Sequence, residues 1–201
     1  LQGLTAHYLS TSASNPDAGE TVLVHAGAGG VGLLITQLLT SRGIRVLTTV
    51  STPEKRELSL AAGAAEALDY DGFAARAREL TDGEGVAVVY DGVGKDTFDE
   101  SLEALRVRGE MVLFGGASGQ VPPFDLQRLN AGGSLSITRP SLGDFLRTPE
   151  ERAWRYRELF DALAAGDLEV RIGARFPLAE AAEAHRALEG RATTGKVLLE
   201  V

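Results

Sequence analysis

An α/β fold with a doubly wound parallel sheet of six strands is what the sequence predicts, and three observations predict it. β-branched runs alternate with helical stretches through residues 1–140. A glycine turn joins the first of these runs to the first long apolar helix. Neither an internal repeat nor a low-complexity tract interrupts the rhythm. Each strand must return to the sheet through a helix that covers it, which imposes parallel pairing and right-handed crossovers. The expected strand order is 3-2-1-4-5-6.

The elements follow in turn. Residues 2–10 have helical content, and Asn15-Pro16-Asp17-Ala18-Gly19 is a turn cluster before the first strand at 21–25. A helix over 31–39 leads to a second strand at 44–50. Pro53 opens the next helix, which carries Glu54, Lys55 and Arg56 and ends at Ala61-Ala62-Gly63-Ala64. A third strand at 66–68 reaches Tyr70, and Asp71 is the expected cap of a helix running to Leu80. Asp82-Gly83-Glu84-Gly85 breaks that helix before a fourth strand at 86–90. In the helix over 95–105, Phe98, Leu102 and Leu105 share one face. A fifth strand at 110–114 ends in Gly115-Gly116-Ala117-Ser118-Gly119, and a sixth at 134–138 ends at Arg139-Pro140. Beyond Pro140 the expectation is a helix over 150–165, a strand at 169–172, a helix over 178–189 and a last strand at 196–201. Tyr156, Leu159, Phe160 and Leu163 form a stripe expected to be core.

Composition sets outer limits. With 44% apolar residues the chain can bury a full core. With 20 basic against 28 acidic residues, the net charge of −8 speaks against nucleic acid and against an anionic membrane surface as partners. Cysteine is absent, so the chain holds no disulfide framework, thiolate nucleophile or thiolate metal site. No apolar run approaches the roughly 20 residues of a membrane span, and no signal-peptide pattern opens the chain. A cytoplasmic location is expected. The chain opens on Leu1 and Met111 is its one methionine, so further chain is expected to precede it.

Ala26-Gly27-Ala28-Gly29-Gly30-Val31-Gly32 carries the chemistry. The spacing is GxGxxG between a strand and a helix, the fingerprint of a Rossmann dinucleotide site. Gly27 permits the tight turn, Gly29 lets backbone amides approach a pyrophosphate, and Gly32 lets helix and strand pack closely. Gly30 and Val31 complete the turn at a helix N-terminus, where unpaired N–H groups and a partial positive charge favour an anion.

The second strand decides which dinucleotide is expected. An NAD site carries a carboxylate there for the ribose 2′-hydroxyl, but the sequence is Leu47-Thr48-Thr49-Val50-Ser51. Ser51 can donate to a phosphate, and Lys55, one turn into the next helix, can supply the countercharge. Alone, Lys55 reads as a solvated surface residue, and Glu54 beside it would repel a phosphate if it turned inward. The missing carboxylate shifts the balance to NADPH.

Five stretches together carry a resemblance: Leu1-Gln2-Gly3-Leu4-Thr5-Ala6-His7-Tyr8, Ala28-Gly29-Gly30-Val31-Gly32, Tyr90-Asp91-Gly92-Val93-Gly94, Phe114-Gly115 and Arg191-Ala192-Thr193-Thr194-Gly195-Lys196. The chain resembles the NADPH:quinone oxidoreductase family, the ζ-crystallin-like branch of the medium-chain dehydrogenase/reductases, along its whole length. That resemblance implies hydride transfer from NADPH to a quinone or α,β-unsaturated carbonyl, without zinc. It places Ser51, Lys55 and Tyr70 around the 2′-phosphate, Arg191 near the cofactor, and Thr5, Phe114 and Gly115 toward the nicotinamide. It implies that residues 1–140 are the cofactor-binding core. Residues 141–201 then complete that domain and return to a GroES-like catalytic domain outside this sequence. Gly27 departs from the family's usual alanine.

No catalytic side chain is assigned, because the cofactor supplies the hydride. His25 and His185 are expected to be packed rather than catalytic. Arg139 is left open between substrate contact and a strand-end cap. The sixth strand, at the sheet edge, is expected to pair with a second copy, as in the resembled family. Two other classes stay open: a zinc-type alcohol dehydrogenase or enoyl-reductase module, and a non-enzymatic NADPH-binding protein.

Overall fold

The computed structural model describes residues 1–190 and 192–201. Its six-stranded sheet consists of β1 (Thr21–Val24), β2 (Arg45–Thr49), β3 (Glu66–Leu68), β4 (Val86–Asp91), β5 (Leu105–Leu113) and β6 (Ser136–Thr138). The order is β3-β2-β1-β4-β5-β6, with every neighbouring pair parallel, as the alternation predicts. The helices are α1 (Gln2–Tyr8), α2 (Gly30–Thr40), α3 (Pro53–Ala61), α4 (Phe73–Glu79), α5 (Phe98–Ala104), α6 (Gln127–Ala131), α7 (Pro149–Ala165) and α8 (Ala181–Glu189). A separate parallel pair joins β7 (Ile172–Pro177) to β8 (Lys196–Glu200).

The sheet is buried on both faces, and the period of two along each strand sorts its side chains between two apolar layers. Val22, Val24 and Val46 join Tyr8, Leu9, Ile35 and Leu39 in one layer. Leu23 and Leu47 join Phe73, Phe98 and Leu102 in the other. Among the described residues no helix is long and apolar enough to cross a membrane.

Several local expectations change, each for a tertiary reason. Asp71 does not cap α4: Gly72 holds the N-cap position at φ 71°, and Glu100 of α5 accepts the Ala74 amide at 3.0 Å. Leu105 begins β5 rather than ending α5, and the pairing shifts register between Val86 and Val88, beside Arg108 at φ 60°. The shared apolar face of Phe98, Leu102 and Leu105 survives, because helix and strand deliver all three to the same layer.

The C-terminal strand also moves, from 169–172 to Ile172–Pro177. The Gln37 carboxamide occupies the backbone of Glu169, donating to its carbonyl at 3.1 Å and accepting from its amide at 2.8 Å. A side chain thus imitates a neighbouring strand. The stripe on α7 divides: Leu159 is buried, whereas Tyr156 and Phe160 are 46% and 62% exposed and stack on each other. Helix α6 has no counterpart in the sequence-based expectation.

One buried cation ties α7 to α1. Arg155, 1% exposed, donates to the Phe145 carbonyl, to Glu151 and to His7 Nδ1 at 3.1 Å. Because Nδ1 accepts, His7 donates from Nε2 to Glu158 at 2.8 Å. Burial lowers the His7 pKa despite that carboxylate. This clasp fixes α1, whose first residue is Gln2.

Candidate functional site

The strand order reverses between β1 and β4, and the loops that leave their carboxyl ends form a crevice there. A cavity of about 470 Å³ occupies it, walled by Gly29, Gly30, Ser51, Lys55, Tyr70, Thr97 and Gly195 among others. A hollow of similar size, about 500 Å³, lies beside Arg78 and Arg128. Its cations are already engaged: Arg78 donates to the carbonyls of Glu103, Gly83 and Leu105, and Arg128 pairs with Asp99 at 2.6 Å. The crevice at the strand ends holds the glycine turn and the topological switch point, and it is the candidate site.

The glycine turn works differently from the sequence-based expectation. Its left-handed residue is Ala26, at φ 54°, and not Gly27. Gly27 is required by proximity, since a Cβ there would lie 2.5 Å from Thr48 Cβ and 2.6 Å from Ser59 Oγ. A Cβ on Gly32 would collide with the Ala26 carbonyl and the Gly27 backbone, so Gly32 does allow helix and strand to close. The Gly29 amide donates to the Ala26 carbonyl at 2.8 Å, and the first bond of α2 runs from Leu33 N to Gly29 O. The amides of Gly30, Val31 and Gly32 are left without an intrahelical acceptor.

At the end of β2, Thr52 caps α3 by accepting the Lys55 amide, and this first turn presents Lys55. Lys55 Nζ donates to Ser51 Oγ at 3.3 Å. Hydrogen bonds from its own backbone amide and from Thr52 hold the Glu54 carboxyl below the usual carboxylate range. Glu54 is bound to the helix N-terminus and is not a wall of the cavity. Tyr70 Oη accepts the Ala26 amide at 3.1 Å, so its own proton is available to another acceptor.

Thr5, Val31, Phe114 and Gly115 are not cavity walls. Thr5 Oγ1 donates to Leu1 O at 3.1 Å, and Val31 is partly buried against the core. Phe114 and Gly115 donate their amides to the Asp91 carbonyl at 2.8 and 3.3 Å. Arg191 lies outside the described residues. Its neighbours Leu188, Thr193 and Gly195 line the cavity, and the Gly195 amide donates to Ala28 O at 3.1 Å.

Gln2, Val93, Asp96 and Thr97 are further walls that no motif assigned. The Gln2 carboxamide lies over Gly30, where any Cβ would strike it. Val93 to Thr97 follow β4, the other strand at the reversal, so the topology itself was the available signal for them. Asp91, at the end of β4, is fully buried; it accepts the amides of Val93 and Gly94 at 2.7 and 2.9 Å and Thr97 Oγ1 at 2.7 Å.

His25 is packed as expected, 1% exposed between Thr49 Oγ1 and Ser101 Oγ, each at 2.8 Å. Burial, opposed by the Asp91 charge, lowers its pKa to about 4. His185 is not packed; it is exposed on α8. Arg139 is also exposed. Among the described residues no cluster of three metal-ligating side chains occurs.

The zinc-binding dehydrogenase family profile matches residues 30–158. A quinone oxidoreductase of Pseudomonas aeruginosa is 46% identical over 201 residues, covering 99% of this chain and 62% of the relative. The solved structure of a mycobacterial protein complexed with NADPH superposes with a TM-score of 0.96 at 58% identity, over 100% of this chain and 64% of that one. Escherichia coli quinone oxidoreductase complexed with NADPH gives 0.97 at 41% identity, over 100% and 63%. The chain thus spans somewhat less than two thirds of the length of these proteins. By profile the chain belongs to the zinc-binding dehydrogenase family, and in sequence and fold it is similar to quinone oxidoreductases.

Proposed function

We propose that this chain is the cofactor-binding part of an NADPH-dependent oxidoreductase that passes hydride to a quinone or an α,β-unsaturated carbonyl. The observation that carries the proposal is one cavity holding two donor sets. The first turn of α2 enters the cavity at Gly29 and Gly30 and offers a pyrophosphate amides without intrahelical acceptors. At the end of β2, Ser51, Lys55 and Tyr70 gather at the cavity, and Glu54 is not among its walls. A ribose 2′-phosphate suits the second set, where Lys55 supplies a cation and Ser51 and Tyr70 supply hydroxyl donors.

When bound, the dihydronicotinamide supplies the hydride. This chain's residues hold and orient the nucleotide: Gly30 to Gly32 by their amides, Lys55 by charge, Tyr70 and Ser51 by hydroxyl donation. The segment around Gly195 closes over the turn. Residues 1–140 constitute the nucleotide-binding core, and residues 141–201 lead through β7 and β8 toward the part of the protein that the relatives carry beyond this length. The acceptor, a small quinone-like molecule, belongs between the two parts. β6, at the open edge of the sheet, joins its counterpart in a homodimer.

The test is titration of the full-length protein with NADPH and NADH, before and after Lys55→Ala. Loss of one charge-assisted hydrogen bond is worth about 1.5–3 kcal/mol, so the NADPH Kd rises about ten- to a hundredfold while NADH changes little. Equal weakening of both removes Lys55 from the phosphate site. Tight NADPH binding without oxidation by any quinone or enone removes the enzymatic part of the proposal.

A further inference from the structure

We infer that His25 is a positioning residue for the nucleotide turn: through Thr49 it fixes the Ala26 peptide, and with it the aim of the α2 amides. The inference rests on the nucleotide assignment above and extends it to a buried side chain that touches neither the cavity nor the acceptor.

The direction of the hydrogen bonds can be derived from one end. The Asp91 carboxylate only accepts. Ser101 Oγ lies 3.4 Å from its Oδ2, so Ser101 gives its proton there and its oxygen faces His25. His25 therefore carries its proton on Nε2 and donates to Ser101 at 2.8 Å. Nδ1 is left as an acceptor, which Thr49 Oγ1 fills at 2.8 Å. With its proton committed to the ring, Thr49 Oγ1 presents lone pairs to the Ala26 amide at 3.4 Å, which Tyr70 Oη also accepts at 3.1 Å. Every donor points the same way, from the turn toward Asp91. A neutral imidazole, with one donor and one acceptor, is the ring state this chain requires, and burial keeps His25 neutral at physiological pH.

Ala26 is where that order matters. It is the residue of the turn with positive φ, and an alanine adopts that conformation only when its surroundings hold it. Its amide is held by Thr49 and Tyr70, and its carbonyl accepts the Gly29 amide at 2.8 Å and abuts Gly32. Rotation of the Ala26 peptide would therefore re-aim the first turn of α2. The His25 ring also supports Tyr70, lying parallel to it at 6.1 Å, with Phe73 edge-on at 4.8 Å.

The experiment compares His25→Leu, His25→Gln and the double variant His25→Leu/Ala26→Gly in the full-length protein, with NADPH Kd by calorimetry and free-protein crystal structures. His25→Leu weakens NADPH at least tenfold and moves Ala26 out of positive φ. His25→Gln, which keeps a donor and an acceptor, retains more affinity. Glycine adopts positive φ unaided, so the double variant regains most of the affinity while remaining as heat-labile as His25→Leu. Leu102→Ala, in the same core layer, lowers Tm and leaves the Kd unchanged. Unaltered Kd and Ala26 φ in folded His25→Leu, or no recovery in the double variant, overturns the inference. If the wild type binds no NADPH, the nucleotide assignment fails, and Ala26 φ in His25→Leu still decides the role of His25. Should His25→Leu not fold, His25→Gln with and without Ala26→Gly carries the same comparison.

Discussion

Two glycine turns stand side by side at the carboxyl ends of β1 and β4, and they differ in where their amides go. In Ala26–Gly32 the amides of Gly30, Val31 and Gly32 open a helix with no intrahelical acceptor, and Gly29 beside them pairs with Gly195 in a parallel bridge. In Asp91–Gly94 the Asp91 carboxylate already accepts the amides of Val93 and Gly94. The second turn carries its own anion, and the first requires one from outside. Glycine content does not separate the two; the presence of an internal carboxylate does. His25 joins them, since the chain of hydrogen bonds from the first turn ends on the carboxylate of the second.

Removing that carboxylate has the largest expected effect. Asp91→Ala strands the two buried amides of Val93 and Gly94, at about 1–3 kcal/mol for each unsatisfied group, while the Thr97 hydroxyl keeps the Gly94 carbonyl at 3.2 Å. A loss of at least about 2 kcal/mol in denaturant unfolding is expected, together with weaker NADPH binding, because Ser101 and His25 lose their anchor. Unchanged stability would mean that the second turn does not depend on its own carboxylate.

A milder perturbation is pH. The folded His25 pKa of about 4 lies below its ordinary 6.5, so between these values the unfolded chain binds the proton and the folded one does not. Stability conferred by the neutral ring is complete above pH 6.5 and declines as pH falls toward 4. For His25 alone the decline is about 2 kcal/mol between pH 7 and 5. The lowered His7 pKa adds a decline of the same sign. Urea midpoints for wild type and His25→Gln across this range check it. The variant should show a shallower slope that retains the His7 part, and parallel slopes would contradict the assignment.

The same contrast explains how much was legible in the sequence. Strand order, the bounds of β3 and the start of α3 at Pro53 follow from periodicity and local turn chemistry, and the structure agrees. The glycine fingerprint located the turn but misassigned Gly27, because its constraint comes from Thr48 and Ser59 on other elements. Ser51, Lys55 and Tyr70 were readable from the missing carboxylate and the family resemblance, and the structure brings them to one cavity. Gln2 was invisible, since a carboxamide near the chain start reaches Gly30 only after the Arg155 clasp has placed α1. The Glu100 cap on α4 and the Gln37 bonds to Glu169 were hidden for the same reason. Each is a side chain satisfying backbone far away in sequence, where periodicity carries no signal.

The most direct measurement is titration of the 15N-labelled full-length protein with inorganic pyrophosphate, following backbone amides by NMR. The account predicts saturable shifts at Gly30, Val31 and Gly32, competed away by NADPH, while Val93 and Gly94 stay bound to Asp91 and do not titrate. Silent amides at 30–32, or a response confined to 93 and 94, would contradict it.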